Sequence, residues 1–93
     1  MVVGLLSVEL FIPEARSLKD KRAVLRSLKD RLKKFNVAVA EVEDQDLWQR
    51  AGLGIAAVAT TGAQVDRMLA SVVDEIERLE PGRITHTAVE HLT

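Results

Sequence analysis

The chain has 93 residues, enough for one domain around a single modest core. Hydrophobic residues make up 47% and charged residues 29%, which excludes a disordered chain, and the lack of cysteine excludes a disulfide framework, a thiol nucleophile and a zinc–thiolate site. The formal charge of −1 hides an asymmetry: residues 16–34 hold nine basic and two acidic residues, a net +7, while the remainder holds four basic and twelve acidic, a net −8.

Residues 2–12 predict a strand. Val2, Leu6, Val8, Leu10 and Ile12 share one parity with Gly4, whereas Val3, Leu5, Ser7, Glu9 and Phe11 share the other. Pro13 ends the run because it has no N–H for a ladder. Ser17 to Phe35 predicts a helix, with Ser17 as N-cap and Asp20 as a weaker capping-box partner than Glu. Val24, Leu25, Leu28, Leu32 and Phe35 form its apolar stripe, and Asn36 suits a left-handed stop. Val37 to Glu43 and Arg50 to Thr60 predict two strands joined by a polar hairpin loop, 44–49. Thr61 and Gln64 have capping-box spacing, and Val65, Met68, Leu69, Val72, Val73, Ile76 and Leu79 follow at helical spacing. Pro81-Gly82 stops that helix, and Ile84 to Leu92 predicts the last strand.

The order β-α-β-β-α-β interlocks two split β-α-β units. The expected architecture is a ferredoxin-like α+β domain over 1–93, a four-stranded antiparallel sheet with both helices on one face. The other sheet face would carry Val3, Leu5 and Phe11 from the first strand, and Gly54, Ala56 and Val58 from the third. Glu9 is the one charge expected there, so the face predicts a homo-oligomer, with Trp48 as a further interface residue. The opening Met-Val-Val lacks a basic secretory n-region, and the longest apolar run, Ala51 to Ala59, is too short for a membrane span. A soluble cytoplasmic protein is expected, with no membrane partner.

Three groups of residues invite functional readings. Lys19, Arg22, Arg26, Lys29 and Lys33 fall within an arc of roughly 80° on a helical wheel, about 130° from the apolar stripe. Such a ridge, about 20 Å long, suits the phosphate backbone of RNA, ribosomal RNA foremost. The bland alternative pairs these cations with Asp66, Asp74, Glu75, Glu77 and Glu80 of the second helix. The hairpin holds Glu41, Glu43, Asp44 and Asp46 but lacks the glycine and closing Glu of a calcium loop, so no metal site is expected. Trp48 beside them has three open readings: a cap on the core edge, a stacking surface for a base, or part of a dimer seam. His86 and His91 are five apart on a strand and point to opposite faces, so they share no metal within one chain. Gly52 and Gly54 enter a strand, not a helix, which excludes a dinucleotide turn and suggests close packing. Pro13-Glu14-Ala15-Arg16 is no glycine-rich anion cradle, so an acylphosphatase-like hydrolase is not expected either. No catalytic residue and no cofactor is expected.

Three stretches carry a family resemblance: P-E-A-R-S-L-K-D-K-R (13–22), F-N-V-A-V-A-E-V (35–42) and Q-D-L-W-Q-R-A-G-L-G (45–54). Together they resemble the YlxP-like family, domain of unknown function 503, over the whole chain. The resemblance implies a ferredoxin-like fold and no assigned activity. Genes of that family often lie near those for translation initiation and ribosome-binding factors, which implies a role near the ribosome.

Overall fold

The computed structural model describes residues 1–92. Its elements are β1 (Val2–Phe11), α1 (Leu18–Leu32) with a 3₁₀ turn at Lys33–Phe35, β2 (Ala38–Glu43), β3 (Arg50–Ala59), α2 (Gly62–Leu79) and β4 (Ile84–His91). The antiparallel sheet runs β2-β3-β1-β4. All six predicted elements are present, with ends moved by one to three residues. The largest shift is in α1, which tightens to 3₁₀ geometry over its last turn before Asn36 stops it at φ 57, ψ 47.

Local chemistry accounts for the helix starts. Ser17 Oγ accepts from Asp20 N at 3.1 Å. The Asp20 carboxylate accepts from Arg16 N, one residue before the cap. In α2 the capping box is complete, since Thr61 Oγ1 accepts from Gln64 N and Gln64 Oε1 accepts from Thr61 N. Such caps are worth about 1 kcal/mol.

The core lies between the helices and one face of the sheet. Leu6, Val8 and Leu10 of β1 and Leu53, Ile55 and Ala57 of β3 pack with Leu25, Leu28 and Leu32 of α1 and Val65, Leu69, Val72 and Ile76 of α2. Period-two burial in β1 and helical spacing in α1 and α2 produce this layer directly. Gly4 lets α2 approach closely, because a Cβ there would run into Val65 and Leu69.

Register fixes the uncovered face. Residues opposite one another in antiparallel strands share a face, so Leu5 sits with Ala56 and Glu90, Ser7 with Gly54 and Ala88, and Glu9 with Gly52 and His86. β2 adds Ala38 and Ala40 beside Ala56 and Gly54, and Glu43 beside Gly52. A bulge between Glu41 and Glu43 brings Val42 over Gly54 as well. The close packing expected at these glycines is thus with bulged β2: a Cβ on Gly52 would lie 2.8 Å from Glu43 Cβ. Glu9 is not the one charge on this face. Glu43, Arg50, His86 and Glu90 share it, because the edge strands and the end of β3 bring their own polar positions into register.

Candidate nucleic-acid interface

α1 holds cations on two sides. Its buried side runs Lys21, Leu25, Leu28 and Leu32. Lys21 is 1% exposed, on the backward extension of the apolar stripe. Its Nζ donates to the carbonyls of Asp44 at 2.7 Å, Gln45 at 3.3 Å and Arg50 at 3.1 Å. Those bonds use the three N–H groups of an ammonium. Glu41 Oε2, 2.9 Å from Nζ, is buried without a hydrogen bond and pairs with Lys21 by charge. One lysine thus neutralises a half-buried carboxylate and closes both ends of the β2–β3 loop.

The outer flank is different. Lys19, Arg22 and Arg26 are exposed and Lys29 is half-buried. None of these four forms an ion pair with an acid among the described residues. Arg22, Arg26 and Lys29, with Leu25 and Glu41, line a cleft of about 210 Å³ between α1 and β2. Lys33, the fifth ridge residue, lies in the 3₁₀ turn and pairs with Asp30 at 3.2 Å. Like charges three or four residues apart cost a helix about 0.2–0.5 kcal/mol per pair. Arg22–Arg26 and Arg26–Lys29 are two such pairs.

Three acids of α2, Glu75, Asp66 and Glu77, are engaged away from the ridge. Glu75 accepts from Arg78 Nε at 2.8 Å and Arg78 Nη2 at 3.0 Å, and pairs with Lys34 Nζ at 2.8 Å. Hydrogen bonds from Arg78, then from Lys34, hold its carboxyl down at about 2 against an ordinary 4.5, and the same contact raises Arg78. Asp66 Oδ1 lies 2.8 Å from His91 Nε2, and Glu77 Oε1 accepts from Gly82 N. Lys34, off the ridge, is the cation of the segment that reaches α2.

The other sequence candidates separate in space. Glu41 turns to the helix side and Glu43 to the open face, so the four hairpin carboxylates do not converge. Among the described residues no three metal-ligating side chains are grouped closely enough to hold an ion. His86 pairs across to Glu9 on the open face, whereas His91 meets Asp66 on the helix side. Of the proposed interface residues, Val3, Leu5, Phe11 and Ala56 are half-buried on the open face, and Val58 is 51% exposed there. Trp48 lies in the hairpin loop just before β3, 55% exposed. Lys21 was missed by the wheel because basic residues were read as an outer ridge. Its signal was its place four residues before Leu25, on the stripe itself.

Strand order, paired helices and a single covered sheet face define a ferredoxin-like α+β domain. Within that class the chain belongs to the family described as "Protein of unknown function (DUF503)", which matches residues 3–89. It is 39% identical over 90 residues to the protein of Bacillus subtilis (strain 168) described as "Uncharacterized protein YlxP", covering 96% of this chain and 98% of that one. The resemblance carried by residues 13–22, 35–42 and 45–54 is therefore real. Among solved structures it is similar to the de novo designed protein Foldit4, with TM-score 0.57, 14% identity and coverage of 99% and 96%. It is also similar to the designed ferredoxin-fold protein LFR1 1, with TM-score 0.56, 12% identity and coverage of 98% and 82%. A putative antibiotic biosynthesis monooxygenase from Bordetella bronchiseptica gives TM-score 0.53 at 14% identity, covering 100% and 97%. At these identities the likeness is one of fold alone. No helix among the described residues is long and apolar enough to cross a membrane.

Proposed function

We propose that this protein is a small RNA-binding module of the cytoplasm that docks ribosomal RNA, or RNA held by a ribosome-associated factor, on the outer flank of α1. Lys19, Arg22, Arg26 and Lys29 contact phosphates, and Lys33 extends the track by giving up Asp30. The role is binding, not catalysis. The observation that carries this reading is a run of cations without ion-pair partners along one flank. Lys21, Lys33 and Lys34 have acidic partners, while Lys19, Arg22, Arg26 and Lys29 form no ion pair among the described residues, and the last three line one cleft. A phosphate backbone supplies the charge that the fold withholds there. Readout is tolerant of sequence, because the flank offers charges for phosphate and few groups for base edges.

The test is RNA binding as a function of salt. Five phosphate contacts on a duplex-like target give a log–log slope of about −4 to −5. Arg22→Glu with Arg26→Glu should weaken binding and flatten the slope. Binding that is absent at low salt, or unchanged in that variant, returns the flank to a solvated helix face.

A second reading concerns the open face. Val42 and Val58 are each about half exposed there, and Leu5, Ala38, Ala40, Val42 and Ala56 line a shallow groove of about 270 Å³. This apolar band supports a homodimer packed through the sheet. Light scattering should then give a dimer at micromolar concentration and a monomer for Leu5→Lys. A monomeric unmodified protein removes this reading.

A further inference from the structure

The loop that Lys21 closes presents two large apolar side chains to solvent. Leu47 is 47% exposed and Trp48 is 55% exposed. A tryptophan capping the core edge would be covered, so that reading of Trp48 falls.

The loop is pinned on both sides of the ring. Before it, Leu47 N donates to Asp44 O at 3.0 Å, and Lys21 Nζ holds the Asp44 and Gln45 carbonyls. After it, Gln49 Nε2 donates to Pro13 O at 2.9 Å and Ala15 O at 3.3 Å, while Ile12 N donates to Gln49 O at 2.7 Å. Lys21 also holds the carbonyl of Arg50. An aromatic side chain on a backbone fixed this way loses little freedom when something packs on it.

The surroundings define what packs there. Asp46, Leu47, Trp48, Gln49 and Arg50 line a concavity of about 400 Å³. Arg50 lies over the Phe11 ring at 5.4 Å, on the uncovered face of β3. Arg22, the next residue after Lys21, begins the cleft of unpaired cations on the other side. Lys21 seats the loop against the first turns of α1, so a polyanion tracked along the ridge toward that end of the helix runs toward the loop. The Asp46 carboxylate repels a phosphate from the concavity but accepts hydrogen bonds from base N–H groups. A flat base with its phosphates outside satisfies all of these groups.

We infer that Trp48 is a stacking platform for one unpaired nucleobase, held at the end of the α1 ridge by the Lys21-closed loop. The RNA that engages Trp48 is then a single strand, or a duplex with a bulged or terminal nucleotide, while a plain duplex meets the ridge alone. This rests on the RNA reading above and adds the loop to it.

Trp48 is the only tryptophan of the chain, so its emission reports the contact directly. The experiment titrates the full-length protein with two end-labelled RNAs, an unstructured strand of ~10 nucleotides and a blunt duplex of the same length. Anisotropy of the label measures binding, and Trp48 emission measures stacking. The single strand should quench the emission in step with binding, and the duplex should bind without quenching. Trp48→Ala should weaken the single strand roughly 5- to 100-fold and leave the duplex unchanged. Trp48→Phe should recover part of the loss, since a phenyl ring still stacks. Single-strand binding with unchanged emission overturns the stacking site while leaving the ridge in place. Equal loss for both RNAs in Trp48→Ala overturns it too. No binding of either RNA overturns both.

Discussion

Lys21 and Arg22 are adjacent, carry the same charge and end in opposite surroundings. Lys21 is enclosed by three carbonyls and a carboxylate. Arg22 faces solvent beside Arg26 and Lys29 and forms no ion pair among the described residues, the one acid of their cleft, Glu41, being paired with Lys21. The difference separates two uses of one residue class in one helix. A buried cation is tolerated only when every proton has an acceptor and its charge has a partner. An exposed cation needs neither, so a run of unpaired ones is free to meet an external anion.

The largest expected effect breaks the inner half of this contrast. Lys21→Met leaves the covered Oε2 of half-buried Glu41 unpaired and strips three carbonyls of their donor, so urea unfolding should lose about 3 kcal/mol. Adding Glu41→Leu should return part of that loss, because it removes the orphaned charge but not the carbonyls. Arg22→Met should stay within about 0.5 kcal/mol of the unmodified protein. Equal losses at the two positions would erase the contrast.

A smaller effect concerns Glu75, which stands between the two extremes, covered yet joined to exposed Arg78 and Lys34. Its carboxyl lies near 2 instead of 4.5. The folded value is depressed, so the contribution is full above about 4.5 and is lost as pH falls toward 2. Denaturation midpoints measured across that window should drop less steeply for Glu75→Gln than for the unmodified chain. Parallel curves would mean that the pair adds nothing to stability.

The smallest effect sharpens the outer half. Arg22→Glu replaces a like-charge pair with a favourable Glu–Arg pair at i,i+4, worth about 0.2–0.5 kcal/mol. Its thermal midpoint should hold or rise slightly while RNA affinity falls. A variant that folds better and binds worse is the signature of a flank kept for its ligand. A fall in midpoint would give the unpaired cations a structural purpose.

Much of the fold was legible along the chain. Strict parity in β1 set its two faces, and the stripe through Leu25, Leu28 and Leu32 set the inner side of α1. The ridge followed from the same wheel, except at Lys33, where the helix tightens to 3₁₀ geometry and the 100° step no longer applies. What stayed hidden depended on contacts distant in sequence. Lys21 is satisfied by backbone carbonyls 23 to 29 residues away, which no local pattern encodes. The extra charges on the open face came from register. The bulge at Val42 set Glu43 beside Gly52, and the β1–β4 pairing set His86 beside Glu9.

The Lys21 contacts also have a kinetic meaning. Seating α1 on the sheet with its ammonium unsolvated requires the β2–β3 loop to be closed, and closing that loop leaves three carbonyls waiting for the ammonium. Helix docking and hairpin closure therefore form one cooperative step, although they begin on segments far apart in the chain. Backbone amides of α1 and of the β2–β3 hairpin should exchange with solvent hydrogen through a common opening event. In Lys21→Met that shared event should split in two, with the hairpin opening while the helix stays folded.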